Sequence, residues 1–194
     1  MVRSPDGFVP GAGVVEAALA TLPHPVDVLR LDPLIDSSRA TPQDWNRIAA
    51  AIEAGHDRYS GFVVTHGTDT LAFTAAALAF ALQGLRRPVV VTGSMLPLGE
   101  PGSDGMRNLT DALDAALAAA PGVWVQFAGR LLHGARVRKS HSSALDAFEA
   151  AEEATPPCQP GERLVRTAYG VAQLATLSMA PGLSESVIAH VLAD

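Results

Sequence analysis

A chain of 194 residues, 48% hydrophobic and 18% charged, can bury a real core and is too apolar to stay disordered. Its net charge of −6, with no run of Lys or Arg, argues against nucleic acid or an anionic membrane surface as partner. Cys158 is the single cysteine, so no internal disulfide forms and a reducing compartment fits. No basic-plus-apolar leader and no run of spanning length is present, and the sequence reads as soluble and cytoplasmic.

In chain order, residues 1–13 read as a loop, with Pro5, Gly7, Pro10, Gly11 and Gly13. Residues 14–22 suit a short helix closed by Pro23 and Pro25, and 26–31 alternate as a strand. A loop over 32–40 carries Asp36, Ser37 and Ser38. Thr41-Pro42-Gln43-Asp44 opens a helix: a hydroxyl at the cap, proline in the first turn, an acid three residues on. Trp45, Ile48, Ala49 and Ile52 mark its buried face as far as Gly55. Phe62, Val63 and Val64 form a buried strand, Gly67 permits a tight turn, and 71–83 is a strong helix pattern.

Residues 88–92 are a second buried strand, ending in Gly93-Ser94. The long loop over 95–107 is of a length usually kept for function. Asn108 suits the cap of a helix over 109–120 that Pro121-Gly122 ends. Residues 123–127 are a third strand, Gly129-Arg130 a turn, and 131–138 the return of a hairpin. Residues 139–162 read as irregular, with Pro156, Pro157 and Pro160; 171–177 read as a last strand, and 184–192 as a helix after Pro181-Gly182. Alternating strands and helices predict an α/β fold on an open, doubly wound, mostly parallel sheet of the Rossmann or flavodoxin-like kind. The expected division is a main domain over 1–154, a linker over 155–168, and the start of a small second α/β domain over 169–194. A chain that begins on a loop and ends on one strand and helix reads as a piece of something longer.

Chemistry concentrates at 61–70, where a carboxylate and two hydroxyls (Asp69, Thr68 and Thr70) sit between a strand end and a helix start. That rim of an open α/β sheet is where ligands bind, and a helix start offers free N–H donors. Thr68 or Asp69 equally suits a plain helix cap. His66 reads first as a packed turn residue. His133 and His141 lack zinc spacing, and Gly93-Ser94-Met95 lacks the Gly-Lys-Ser/Thr of a phosphate loop. Lys139 taken alone reads as a solvated surface lysine.

His66-Gly67-Thr68-Asp69-Thr70 resembles the signature of the bacterial-type L-asparaginases, most nearly their cytoplasmic type I branch. Three further stretches agree in order and spacing. They are Asp36-Ser37-Ser38 before a Thr-Pro-x-Asp-Trp helix start; Val91-Thr92-Gly93-Ser94 with Ser103-Asp104-Gly105 and Asn108-Leu109; and Arg136-Val137-Arg138-Lys139. The resemblance covers essentially the whole chain. It implies hydrolysis of L-asparagine to L-aspartate and ammonia, with no cofactor or metal, by homodimers that pair into tetramers. In the family one threonine near the N-terminus is the covalent nucleophile, and a second works with a lysine and an aspartate. Carried onto this chain, the second threonine is Thr68, the aspartate Asp69 and the lysine Lys139. The resemblance also gives Asp69 the substrate's α-ammonium and gives Asp36, Ser37 and Ser38 its carboxylate end. Donors near Gly67 and Ser94 complete the expected binding set, holding a developing oxyanion. A lysine serves as base only if burial or nearby positive charge favours its neutral form; Arg136 and Arg138 are close enough in sequence to do this, though alternation aims both away from a neighbouring odd-numbered face.

Departures from the family pattern set further expectations. The Thr-Gly-Gly-Thr-Ile-Gly-like stretch that carries the nucleophile has no counterpart, Met1 aligning just after it. The sheet is therefore expected to lack the family's first strand. Phe8 stands where the family has a tyrosine, and 171–192 matches only the start of the second domain. The alternative is an impaired paralogue or fragment that binds an acidic amino acid without hydrolysing it. An asparaginase-like subunit of a tRNA-linked amidotransferase ranks last, since the extra N-terminal domain of that subunit has no counterpart.

Overall fold

The computed structural model describes residues 2–4, 7–9, 13–151, 161–171 and 181–192. Val2–Ser4 (β1) and Gly7–Val9 (β2) pair antiparallel, with Val2 opposite Val9. The expected loop over 1–13 thus contains a short hairpin, because its β-formers lie in register across a two-residue connection. Helix α1 (Val14–Leu19) stops three residues short of expectation. Thr21 caps Ala18 O through its hydroxyl at 2.7 Å and its amide at 3.1 Å, tightening the chain before Pro23 is reached.

Residues 26–31 form no strand, which corrects the reading from alternation. Alternation marks an apolar face but does not supply an edge to pair with. Val28 and Leu29 stay 51% and 70% exposed. Side chains hold this part of the chain instead: His24 to Asp114 at 2.9 Å, Tyr59 to Asp27 at 2.7 Å, and Arg30 Nε to Glu16 at 3.0 Å.

Helix α2 (Pro42–Gly55) starts as expected, with Thr41 and Asp44 in a reciprocal capping box and Pro42 in the first turn. Strand β3 (Phe62–Thr65) leads through the 66–70 turn into α3 (Leu71–Ala81). The last two residues expected of that helix, Leu82–Gln83 (β4), are extended instead and pair with a later strand. Strand β5 (Pro88–Thr92) is buried at all five positions. Each fully buried valine there contributes about 1.5–3 kcal/mol relative to exposure.

Helix α4 (Gly105–Ala118) begins four residues before the expected 109, and Asn108 lies inside its first turn rather than at its cap. Asp104 precedes the helix, its carboxylate accepting from Met95 N at 3.0 Å and Leu96 N at 3.1 Å. Asn108 is then free to bridge inward, as described below. Strand β6 (Gly122–Phe127) turns through Ala128 and Gly129 into β7 (Arg130–His133). Strands β8 (Val137–Lys139) and β9 (Phe148–Ala150) pair antiparallel, so part of the stretch expected to be irregular is a further strand pair. Strand β10 (Val165–Arg166) is the partner of β4, and α5 is Glu185–Leu192. The expected strand over 171–177 falls, beyond Val171, outside the described residues, as do Cys158 and 155–160 of the expected linker.

The main sheet has the order β3-β5-β6-β7, parallel except for β7 at its edge. Val89, Val91, Val123 and Val125 share a core with Ile48 and Ile52 of α2 and Leu71, Ala75 and Leu78 of α3. Val90 points the other way, onto Ala112 and Ala116 of α4. Helices on both faces make this the doubly wound α/β sheet that the sequence predicts. The carboxyl ends of β3 and β5 therefore lie side by side, with Thr65 opposite Thr92.

Candidate active site

The 66–70 turn stands on the rim made by those two strand ends. His66 N donates to Thr92 O at 2.8 Å, extending the β3–β5 ladder by one bond. A Cβ on Gly93 would lie 2.2 Å from His66 O, so only glycine lets the two strand ends approach this closely. Thr68 and Asp69 follow at the turn's apex.

Lys139 reaches this apex from the end of β8. Alternation along β8 puts the buried Val137 and Lys139 on one face and sends Arg138 the other way, to Glu149 at 2.5 Å. Lys139 Nζ donates to Thr68 Oγ1 at 2.9 Å and lies 3.3 Å from Asp69 Oδ1. The Lys139 amine, 71 residues on from Thr68, thus meets a hydroxyl and a carboxylate at one point. Asp69 keeps 63% of its side chain exposed while Lys139 keeps 21%. So open an ion pair adds little to stability, and the acid stays accessible to a ligand's cation.

The Asp36–Ser38 loop packs against the same turn. Thr70 Oγ1 donates to Ser37 O at 2.6 Å. A Cβ on Gly67 would fall 2.3 Å from Ser37 Oγ, so the missing side chain is what admits the buried Ser37. Asp36 caps the short 3-10 turn at Ser37–Arg39: its Oδ1 accepts from Ser38 N at 3.1 Å and Ser38 Oγ at 2.9 Å. The structure thus brings Thr68, Asp69, Lys139, Gly67, Ser37, Ser38 and Asp36 into one neighbourhood. Ser94 lies one residue beyond Gly93 and half-buried, and among the described residues no hydrogen bond ties it to Thr68, Asp69 or Lys139.

Four residues support the rim, for which the sequence reading gives only a helix cap (Asn108), a packed turn residue (His66), a buried helix face (Trp45) and nothing for Thr74. Asn108, 1% exposed, donates to Gly93 O and Asp104 Oδ2, each at 2.9 Å, and accepts from Ala128 N at 3.0 Å. It fastens the end of β5 to α4 and to the turn after β6, where Ala128 sits at a φ of 49°. His66 is held by Gly67 O and Thr74, and Trp45 donates to the same Thr74 hydroxyl. Burial pushes the His66 imidazole below its ordinary value, although its bond to the Gly67 carbonyl favours the charged form. Polar residues at 45, 66 and 74 carry no local marker of this network.

Two hollows elsewhere on the surface have no lining from Thr68, Asp69 or Lys139. One, of about 250 Å³, lies beside Asp36, Arg39 and Arg47, and one of about 650 Å³ lies between Val14, Ala17, Leu98 and Met106. Among the described residues no three His, Cys, Asp or Glu side chains gather as a metal site requires, and no helix is long and apolar enough to cross a membrane.

The sequence family described as Asparaginase, N-terminal, matches residues 6–159. The chain is 38% identical to L-asparaginase 1 of Escherichia coli K12 over an alignment 214 positions long, covering 99% of this chain and 63% of that protein. It is 47% identical to L-asparaginase of Thermococcus kodakarensis over 124 residues, covering 64% of this chain and 37% of that protein. The crystal structure of L-asparaginase I from Vibrio cholerae superposes with a TM-score of 0.79 at 35% identity, covering 98% of this chain and 64% of that one. The chain thus spans less than two thirds of the length of these relatives.

Proposed function

The chain belongs to the asparaginase family, and we propose that it hydrolyses the side-chain amide of L-asparagine, releasing L-aspartate and ammonia. The observation that carries this reading is Lys139 Nζ at 2.9 Å from Thr68 Oγ1 and 3.3 Å from Asp69 Oδ1. The relatives named L-asparaginase support the substrate.

In this reading a water attacks the amide carbon, the Thr68 hydroxyl and the Lys139 amine relay its proton, and the C–N bond breaks as that proton reaches the departing nitrogen, giving L-aspartate and ammonia. Asp69, open to solvent beside the lysine, receives the substrate's α-ammonium. The Asp36–Ser38 loop receives its α-carboxylate end through the serine hydroxyls, with Asp36 holding Ser38 in place through its amide and hydroxyl. Backbone donors at Gly67 and Thr68, with Ser94 on the adjoining strand end, hold the oxygen that becomes negative. The turn needs no cofactor for these steps.

We extend the proposal to threonine catalysis, cytoplasmic residence and a homodimer or homotetramer. The lone Cys158 and the type I resemblance support the location. The oligomer is supported by α3, which is apolar on every side and leaves Phe73 66% and Phe80 55% exposed.

Ammonia released from L-asparagine by the purified chain tests the reading. Lys139→Met is expected to slow it by about a hundredfold or more. Equal rates would remove Lys139 from the site. Binding of L-aspartate with no ammonia released would favour a non-hydrolysing amino-acid binder.

A further inference from the structure

His66 is the titratable side chain of the turn that the proposed hydrolysis leaves unused, yet its hydrogen bonds run in one direction only. Trp45 Nε1 is a pure donor and gives its proton to Thr74 Oγ1 at 3.0 Å. Gly67 O is a pure acceptor and lies 2.7 Å from His66 Nδ1. The ring proton therefore sits on Nδ1, and Nε2 accepts from the Thr74 hydroxyl at 3.0 Å. A buried imidazole kept neutral suits both bonds.

Gly67 C=O and Thr68 N–H belong to one trans peptide, so they point in opposite directions. Tying the carbonyl to a buried ring turns the N–H the other way, and among the described residues it has no acceptor. We propose that His66 is a positioning residue: through Gly67 O it orients the Thr68 N–H as a donor to the oxygen of an amide or carboxylate bound beside Thr68 Oγ1 and Lys139 Nζ. This rests on the amide-hydrolysis reading for its substrate, but not for its geometry. The ring acts on the peptide and touches no reacting atom, so its removal affects the oxygen that gains charge more than the ammonium or carboxylate ends.

The test compares His66→Asn with His66→Leu in the full chain. Asparagine sets an N–H close to where Nδ1 stands, and leucine has a similar shape without a donor. His66→Leu is expected to lower kcat for L-asparagine about tenfold or more with a small change in KM, since the donor matters most in the transition state. His66→Asn is expected to recover to within about threefold of wild type, while both variants lose the Thr74 bond alike. Equal losses in the two variants, or an unaltered kcat in His66→Leu, would overturn the proposal. The Thr68 amide 1H–15N resonance reads the same geometry without turnover. It is expected to keep its position in His66→Asn and move in His66→Leu, and a resonance unmoved in both would overturn the proposal. A wild-type chain that releases no ammonia would sink the hydrolysis reading, and the amide resonance would then decide the positioning role alone.

Discussion

Replacing Asn108 by leucine keeps the branching and heavy-atom count of the side chain and removes its three hydrogen bonds at the rim of the sheet. The side chain is 1% exposed, so water does not enter to replace it. Gly93 O and Ala128 N–H each lose a partner, and Asp104 loses one of its donors while keeping Met95 N and Leu96 N. An unsatisfied buried backbone group costs about 1–3 kcal/mol, so the two together cost about 2–6. Burying the leucine methyls instead of an amide returns about 1–2 kcal/mol. Midpoint against midpoint, the net loss is about 2.5 kcal/mol, a large share of the roughly 5–15 kcal/mol that holds a domain folded. In a chain of this size each kcal/mol moves Tm by about 2–4 °C. Urea unfolding followed by circular dichroism should show a lower midpoint at unchanged slope. A loss under about 0.5 kcal/mol would mean that these bonds do not hold the rim.

Three further outcomes are expected. Gly67→Ala drives a methyl to 2.3 Å from Ser37 Oγ and displaces the 36–38 loop; L-aspartate affinity, read by calorimetry, should fall about tenfold, and unchanged affinity would separate that loop from the ligand. Burial holds His66 below the ordinary imidazole value of 6.5, burial with Arg86 does so for His56, and burial with Arg136 for His133. Between each folded value and 6.5 the unfolded chain binds more protons, so stability is full above pH 6.5 and declines as pH falls through that window. Urea midpoints taken from about pH 8 to about pH 5 should show this decline, shallower in His66→Asn, and a flat profile would contradict it. Thr41→Ala breaks the capping box at the start of α2 and should cost about 1 kcal/mol in urea unfolding, with no effect on ligand affinity.

The strands of the sheet centre were legible because runs such as Val89-Val90-Val91 suit one environment, buried on both faces. The Thr41 helix start was legible because its capping chemistry is local. Residues 26–31 show the limit: their pattern permits a strand, but pairing depends on an edge elsewhere in the chain. Asn108 shows another. It is a good cap residue, yet its bonds to Gly93 and Ala128 span 15 and 20 residues, and Asp104 settles where the helix begins. In the candidate site, Thr68 and Asp69 stand out from their place between strand and helix. Lys139 has no such local signal, and only the likeness of its surrounding stretch to a known pattern selects it. The His66–Thr74–Trp45 chain is invisible in sequence, since three helically spaced or turn-borne polar residues look like any others until the fold brings them together.

A double-mutant cycle on Thr68→Val and Lys139→Met, read as ammonia released from L-asparagine per second per folded chain, tests whether the 2.9 Å contact between these side chains is a working unit. The account expects each single variant to lose about a hundredfold or more, and the double variant to be no slower than the worse of the two. Losses that multiply, or a single variant that keeps the wild-type rate, would contradict it.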